Sequence, residues 1–150
     1  MSLLDQLKEN LKSAMKSGDQ KKTGVLRYLL SEIYNQEKAK QAAGKEPALN
    51  DEEVVDVLQK EAKKRNDAID LFKKGGRNDL VEKEDGELLI IKEYLPPEVR
   101  EDEIIAVVDN IIRSGHNNFG AVMNETMKKL KGRAGGRIVG EIVKKRLSSN

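Results

Sequence analysis

Apolar residues recur at helical spacing along nearly all of this 150-residue chain, and no stretch alternates with a period of two. Leu4, Leu7, Leu11, Ala14 and Met15 form one stripe. Leu26, Leu29, Leu30 and Ile33 form a second, and Val54, Val55, Leu58, Ala62, Ile69 and Phe72 a third. The i, i+3, i+4, i+7 pattern turns one face of a helix toward a core, whereas a half-buried strand needs strict alternation. The chain is therefore expected to be all-α, with no sheet.

Glycines, prolines and capping residues divide the pattern. Gly18 ends a first helix of about Leu3–Ser17, and Asp19 caps a second that reaches about Gln41; the two read as a helical hairpin. Gly44 and Pro47 interrupt the chain before Asn50, where a cap side chain followed by Asp51, Glu52 and Glu53 marks a third helix. That helix ends near Gly75 and Gly76. A fourth is expected over about Asn78–Leu95, turning Leu80, Val81, Leu88, Ile91 and Leu95 inward, with Gly86 in its interior. Pro96 and Pro97 then stop it, because the second proline cannot donate and the residue before a proline avoids helical angles. The expected domains are thus a four-helix N-terminal domain of helical hairpins, residues 1–96, and a three-helix C-terminal domain, residues 97–150. In the latter, Ile104, Val107, Val108, Ile111 and Ile112 mark a helix that ends at Ser114–Gly115. Asn118 caps the next, with Phe119, Val122, Met123, Thr126, Met127 and Leu130 on its stripe, and Ile138, Val139, Ile142, Val143 and Leu147 define the last.

Composition excludes several functions. Charged residues are 36% and apolar ones 37%, and with such clear periodicity this balance argues for a folded helical protein over a disordered one. No run of apolar residues is long enough to span a membrane. The start MSLLDQLKEN has no basic segment leading into an apolar core, so a secretory signal is not indicated and a cytoplasmic location is expected. The absence of cysteine excludes disulfides and thiolate metal sites. The single histidine, His116, sits in a polar loop and reads as solvated, and no Walker loop, G-x-S-x-G or H-E-x-x-H occurs. Acids such as Glu82/Asp85 and Glu84/Glu87 alternate with lysine, as on a solvated or ion-paired helix face. No catalytic residue, cofactor or metal is assigned. Aromatic residues are 3% of the chain; Tyr28, Tyr34, Phe72 and Phe119 fall on or beside apolar stripes and are expected in the core rather than under nucleic-acid bases. Tyr94, beside the proline pair, fits a staple for the linker.

Charge is distributed unevenly. Residues 1–97 carry 18 Lys and Arg against 19 Asp and Glu, residues 98–125 carry 2 against 6, and residues 126–150 carry 8 against 1. The net +7 of the last segment is concentrated in KKLKGRAGGRIVGEIVKKRL, Lys128–Leu147, where a glycine-rich turn opens a helix. A helix beginning at glycines presents unpaired N–H groups and a partial positive charge, which suits a phosphate. Lys128, Lys131, Arg133, Gly135, Gly136, Arg137, Lys144, Lys145 and Arg146 are the candidate nucleic-acid contacts, acting on phosphates and shape rather than on base edges. The competing readings are a solvated face that keeps the domain soluble, and a basic end that docks an acidic protein partner.

Two stretches resemble a known family. The run QKEAKKRNDAIDLFKKGGRNDLVEKEDGELLIIKEYLP, Gln59–Pro96, is similar to the middle signature of the YqeY family, and GAVMNETMKKLKGRAGGRIVGEIVKKRL to its C-terminal signature. With VLRYLLSEI in the second helix, the resemblance covers essentially the full length. The family's C-terminal part is similar to the tail domain of the B subunit of tRNA-dependent amidotransferases, which helps to hold tRNA while other domains do the chemistry. The resemblance therefore implies tRNA, and amidotransferase subunits or another protein, as partners of a non-catalytic accessory protein. It also carries the label of carbon–nitrogen ligase activity with glutamine as amide donor. Where the family has an acidic or amide residue just before the second glycine of the basic turn, this chain has Gly135, which leaves the turn more positive. Arg65, Arg77, Glu84 and Glu87 match charged positions of the middle signature. They are expected to form ion pairs between the third and fourth helices, with a partner-binding site as the alternative.

Overall fold

A computed structural model describes residues 1–131 and 133–149. They form seven α-helices, and no strand occurs among the described residues. The chain divides into two compact units, Met1–Leu95 and Pro96–Asn150.

In the first unit, α1 (Leu3–Ser17) and α2 (Gln20–Ala42) form one hairpin, and α3 (Asp51–Lys74) and α4 (Asn78–Lys92) a second, with α2 packed against both α3 and α4. Each boundary has a local cause. Ser2 Oγ accepts from the Asp5 N–H, Gly18 closes α1 at φ 75°, and the Asp19 carboxylate accepts from the Lys22 N–H. Asn50 and Glu53 form a reciprocal capping box on α3. Leu49, just before that cap, and Val54, four residues past it, are both buried in one cluster, the pattern of a hydrophobic staple. The core comprises Leu7, Leu26, Leu29, Ile33, Leu58, Ile69, Leu88 and Ile91 with their neighbours. Asn10 donates to the Tyr94 hydroxyl at 2.7 Å, so Tyr94 ties α1 to the end of α4 inside this unit.

Some expectations are corrected. Helix α4 stops at Lys92 rather than Leu95, because the approach to Pro96 tightens into bonds from Tyr94 N–H to the Ile91 carbonyl and from Leu95 N–H to the Lys92 carbonyl. Met15 is exposed rather than buried. Tyr28 and Tyr34 also leave the core: each lies one residue to the side of a buried position, Leu29 or Ile33, and its ring is met at the rim by a cation. The Arg65 guanidinium lies 5.4 Å from the Tyr28 ring centre, and the Lys38 ammonium 5.0 Å from that of Tyr34. Gly86 sits where the end of the Lys21 side chain rests directly on the α4 backbone.

The expected ion pairing of α3 with α4 holds for Arg65 and Glu87, at 3.4 Å. It extends to a residue that periodicity had not singled out: Glu61, only 2% exposed, pairs with Arg65 at 3.3 Å and with Lys64 at 3.0 Å. Arg77 does not cross to α3. It pairs with Asp79 at the start of its own helix, at an exposed site.

In the second unit, α5 (Glu101–Arg113), α6 (Phe119–Leu130) and α7 (Gly136–Ser148) pack mutually. Ile104, Val108, Ile111, Val122, Leu130, Val139, Ile142 and Val143 form its core. The staple pattern recurs twice. Val99 and Ile104 flank the start of α5, and Ala134 and Val139 the start of α7; Ile104, Ala134 and Val139 are in the core cluster and the half-buried Val99 packs against it. Phe119, 48% exposed, and Ile138, 51% exposed, lie outside the core that their stripes suggested.

Candidate nucleic-acid interface

The α6–α7 connection shapes the basic end. Helix α6 ends at Lys131, which adopts left-handed angles (φ 50°, ψ 41°) and donates its N–H to the Met127 carbonyl. It is the one non-glycine residue with positive φ among the described residues. A lysine there accepts backbone strain of about 1 kcal/mol, and Lys128 and Lys129 lie in the last turn of α6, at the negative end of its dipole. Arg133 is stitched to the start of the unit: its carbonyl accepts from the Val99 N–H at 2.9 Å, and its Nε donates to the Pro97 carbonyl at 3.4 Å.

Helix α7 then opens at Gly135, with no side-chain cap. Gly135 and Gly136 are exposed, and a Cβ at either would meet nothing within 4 Å. The start of α7 thus has no side-chain cap at the positive end of the helix dipole, where the first N–H groups of a helix lack intrahelical partners. Arg133 and Arg137 stand on either side of it in the chain, and the Arg137 side chain is 80% exposed. Arg137 pairs with Glu141 at 3.8 Å, an exposed contact on its own helix. Lys144, seven residues beyond Arg137 and so on the same face, lies roughly 12 Å from the opening. Lys145 is exposed on the adjoining flank, and Lys128 pairs with Glu125 on α6 at 3.8 Å.

The nine candidate residues thus do not form one patch. Gly135, Gly136 and Arg137 open α7, Lys131 and Arg133 precede them in the connection from α6, and Lys144 shares the helix face of Arg137. Arg146 is turned away from them: its Nε and Nη2 grip the two Asp109 carboxylate oxygens at 2.8 and 2.7 Å, clamping α7 to α5. The Arg146 guanidinium holds the Asp109 carboxyl below its ordinary range, and the same bond raises Arg146. Arg146 reads in the sequence as one more cation of a basic run. Its partner lies 37 positions away, so only the folded chain brings the pair together.

Among the described residues, no group of three or more His, Asp or Glu is placed to hold a metal ion. No helix is long and apolar enough to cross a membrane. A shallow open groove between α1 and α2, lined by Met15, Gly18, Gln20, Thr23, Gly24 and Arg27, contains neither carboxylate nor imidazole.

These are the features of a small all-helical protein with a cationic helix opening in its second unit. A family model described as Yqey-like protein matches residues 4–147. The chain is 31% identical over 137 residues to "altered inheritance of mitochondria protein 41, mitochondrial" of Pyrenophora tritici-repentis, covering 88% of this chain and 73% of that one. The protein of the same name from Lachancea thermotolerans is 37% identical over 131 residues, covering 85% and 68%. The Eremothecium gossypii protein is 32% identical over 121 residues, covering 79% and 64%. This chain belongs to the YqeY-like family, as its two signatures suggested.

The same relatives overturn the expectation of a cytoplasmic location, because they are named as mitochondrial proteins. That expectation rested on the lack of a basic segment followed by an apolar core. Such a segment reports on the secretory route and carries no information about other compartments.

Proposed function

We propose that this protein is a non-catalytic accessory factor that holds tRNA by its phosphates, with amidotransferase subunits as candidate companions and residues 1–96 and 97–150 as separate domains. The observation that carries the reading is the exposed start of α7, which has no side-chain cap and lies with Lys131, Arg133 and Arg137 in a segment of net +7. Backbone N–H groups and flexible cations at one helix opening favour a polyanion and read no sequence. Lys144 and Lys145 extend the contact, while Arg146 supports it indirectly by fixing α7 on α5. The relatives' names tie them to mitochondria, which contain their own tRNAs, so the reading asks for no partner foreign to that compartment. The ligase label is read as a property of the larger amidotransferase assembly, since this chain offers no cysteine and one histidine in an exposed loop.

Titration of fluorescently labelled tRNA with the full protein at several salt concentrations tests this. Binding that weakens steeply with salt and is abolished by Arg137→Glu/Lys145→Glu supports the reading. No binding at low salt rejects it and leaves the basic end to dock an acidic protein.

A further inference from the structure

Phe119 is the first residue of α6, and its ring leaves the core to lie against α7 at Gly140. A Cβ built on Gly140 would stand 3.8 Å from the Phe119 Cζ and 3.9 Å from the Met123 Cε. With no side chain at Gly140, the ring and the Met123 thioether lie close to bare helix. Met123, one turn further along α6, meets the same point of α7, and Phe119 remains 48% exposed. Arg137, three residues before Gly140, and Lys144, four residues after it, lie on the same side of α7 and therefore flank the ring. Gly136, at the start of α7 where no side chain caps the helix, lies about one turn before the glycine.

The exposed apolar surface at this point is a single ring. Ile138, the other exposed apolar residue of α7, is turned about 160° around the helix from Gly140. Leu147, on the same side as Gly140, is half-buried in the core. A protein partner's apolar face would need a broader patch. One aromatic face between two cations matches the chemistry of a nucleotide, a flat base with a phosphate on either side. Building on the tRNA contact proposed above, we propose that Phe119 is a stacking platform for an unpaired RNA base, with Lys144 and Arg137 holding the adjoining phosphates. The ligand is therefore a single-stranded segment or loop. Arg137 exchanges its exposed Glu141 partner for phosphate on binding.

The test uses the full chain with a short fluorescein-labelled oligouridylate, the same strand made abasic, and a duplex. Phe119→Leu keeps an apolar cover on Gly140 but lacks a ring face, and Phe119→Trp retains one; thermal melting confirms that both fold. Phe119→Leu is expected to weaken oligouridylate binding roughly tenfold, with the salt dependence unchanged, while Phe119→Trp binds as the parent does. The abasic strand and the duplex should bind parent and Phe119→Leu alike. Equal oligouridylate binding by parent and Phe119→Leu, with loss in Arg137→Glu/Lys144→Glu, would overturn the platform while the phosphate contact stands, leaving the ring for a protein. Failure of the parent to bind any of the three RNAs at low salt would remove both readings.

Discussion

The two units put similar residues to opposite uses. In Met1–Leu95, charge is turned inward: Glu61 is buried beneath Arg65 and Lys64, Glu87 meets Arg65 across the hairpin, and Arg65 covers Tyr28. In Pro96–Asn150, one pair, Asp109–Arg146, clamps two helices, and the mouth of α7 is left without a side-chain cap among exposed cations. A buried ion pair fixes which helix faces meet, at a desolvation cost that only good partnering offsets. An exposed cation contributes little to stability. The first unit uses charge to hold its own arrangement, and the second leaves most of its basic residues exposed.

Substitutions can break or sharpen that contrast. The largest stability effect is expected at Arg65→Met, which leaves Glu61 buried with Lys64 alone and removes the cation from Tyr28. Urea unfolding should show a loss of roughly 3 kcal/mol, and a loss near zero would remove the inward-charge account of the first unit. In the second unit, Asp109→Asn should lower the melting temperature at neutral pH. Because the folded Asp109 pKa is depressed, the clamp contributes fully above the ordinary aspartate value and is lost as pH falls through the lowered one. Melting curves of parent and variant should therefore converge in acid, and a constant gap would contradict the pairing.

Smaller effects should run the other way. Thr126 is fully buried, and its hydroxyl has no hydrogen-bond partner among the described residues. Thr126→Val should add about 1 kcal/mol by calorimetry. Gly140→Ala should add about 0.5–1 kcal/mol, since its Cβ would meet Phe119 and Met123 only at ordinary contact distance. Arg77→Ala, at an exposed pair, should leave melting unchanged. A clear loss there would mean that surface charge also supports the first unit.

What could be read in advance follows from how local each cause is. Helix starts and stops were legible because Asp19, Asn50, Asn118 and Gly18 act within a few residues of themselves. The staples at Leu49, Val99 and Ala134 were equally local, being apolar residues just before a helix start, but they lie outside the helical stripes. Rim positions were misread. Tyr28, Phe119 and Ile138 lie beside a stripe, and whether such a side chain turns in or out depends on the neighbouring helix, here Arg65 of α3 and Gly140 of α7. At the candidate interface, composition showed the basic cluster and the glycine opening. It could not separate Arg146, whose side chain grips Asp109, from the exposed Arg137 and Lys144 on α7, because that distinction depends on a contact 37 positions long.

Matched charge reversal in the two units tests the division most directly. One variant of the full protein would reverse Arg133, Arg137, Lys144 and Lys145 to glutamate; the other would reverse Lys8, Lys12, Lys63 and Lys73, which are equally exposed. Both change net charge by the same amount, and both would be titrated against labelled tRNA at low salt. The account predicts that the first variant loses binding and its salt dependence while the second stays close to the parent. Equal weakening in both would mean that overall charge alone attracts the RNA, and would contradict a dedicated interface at α7.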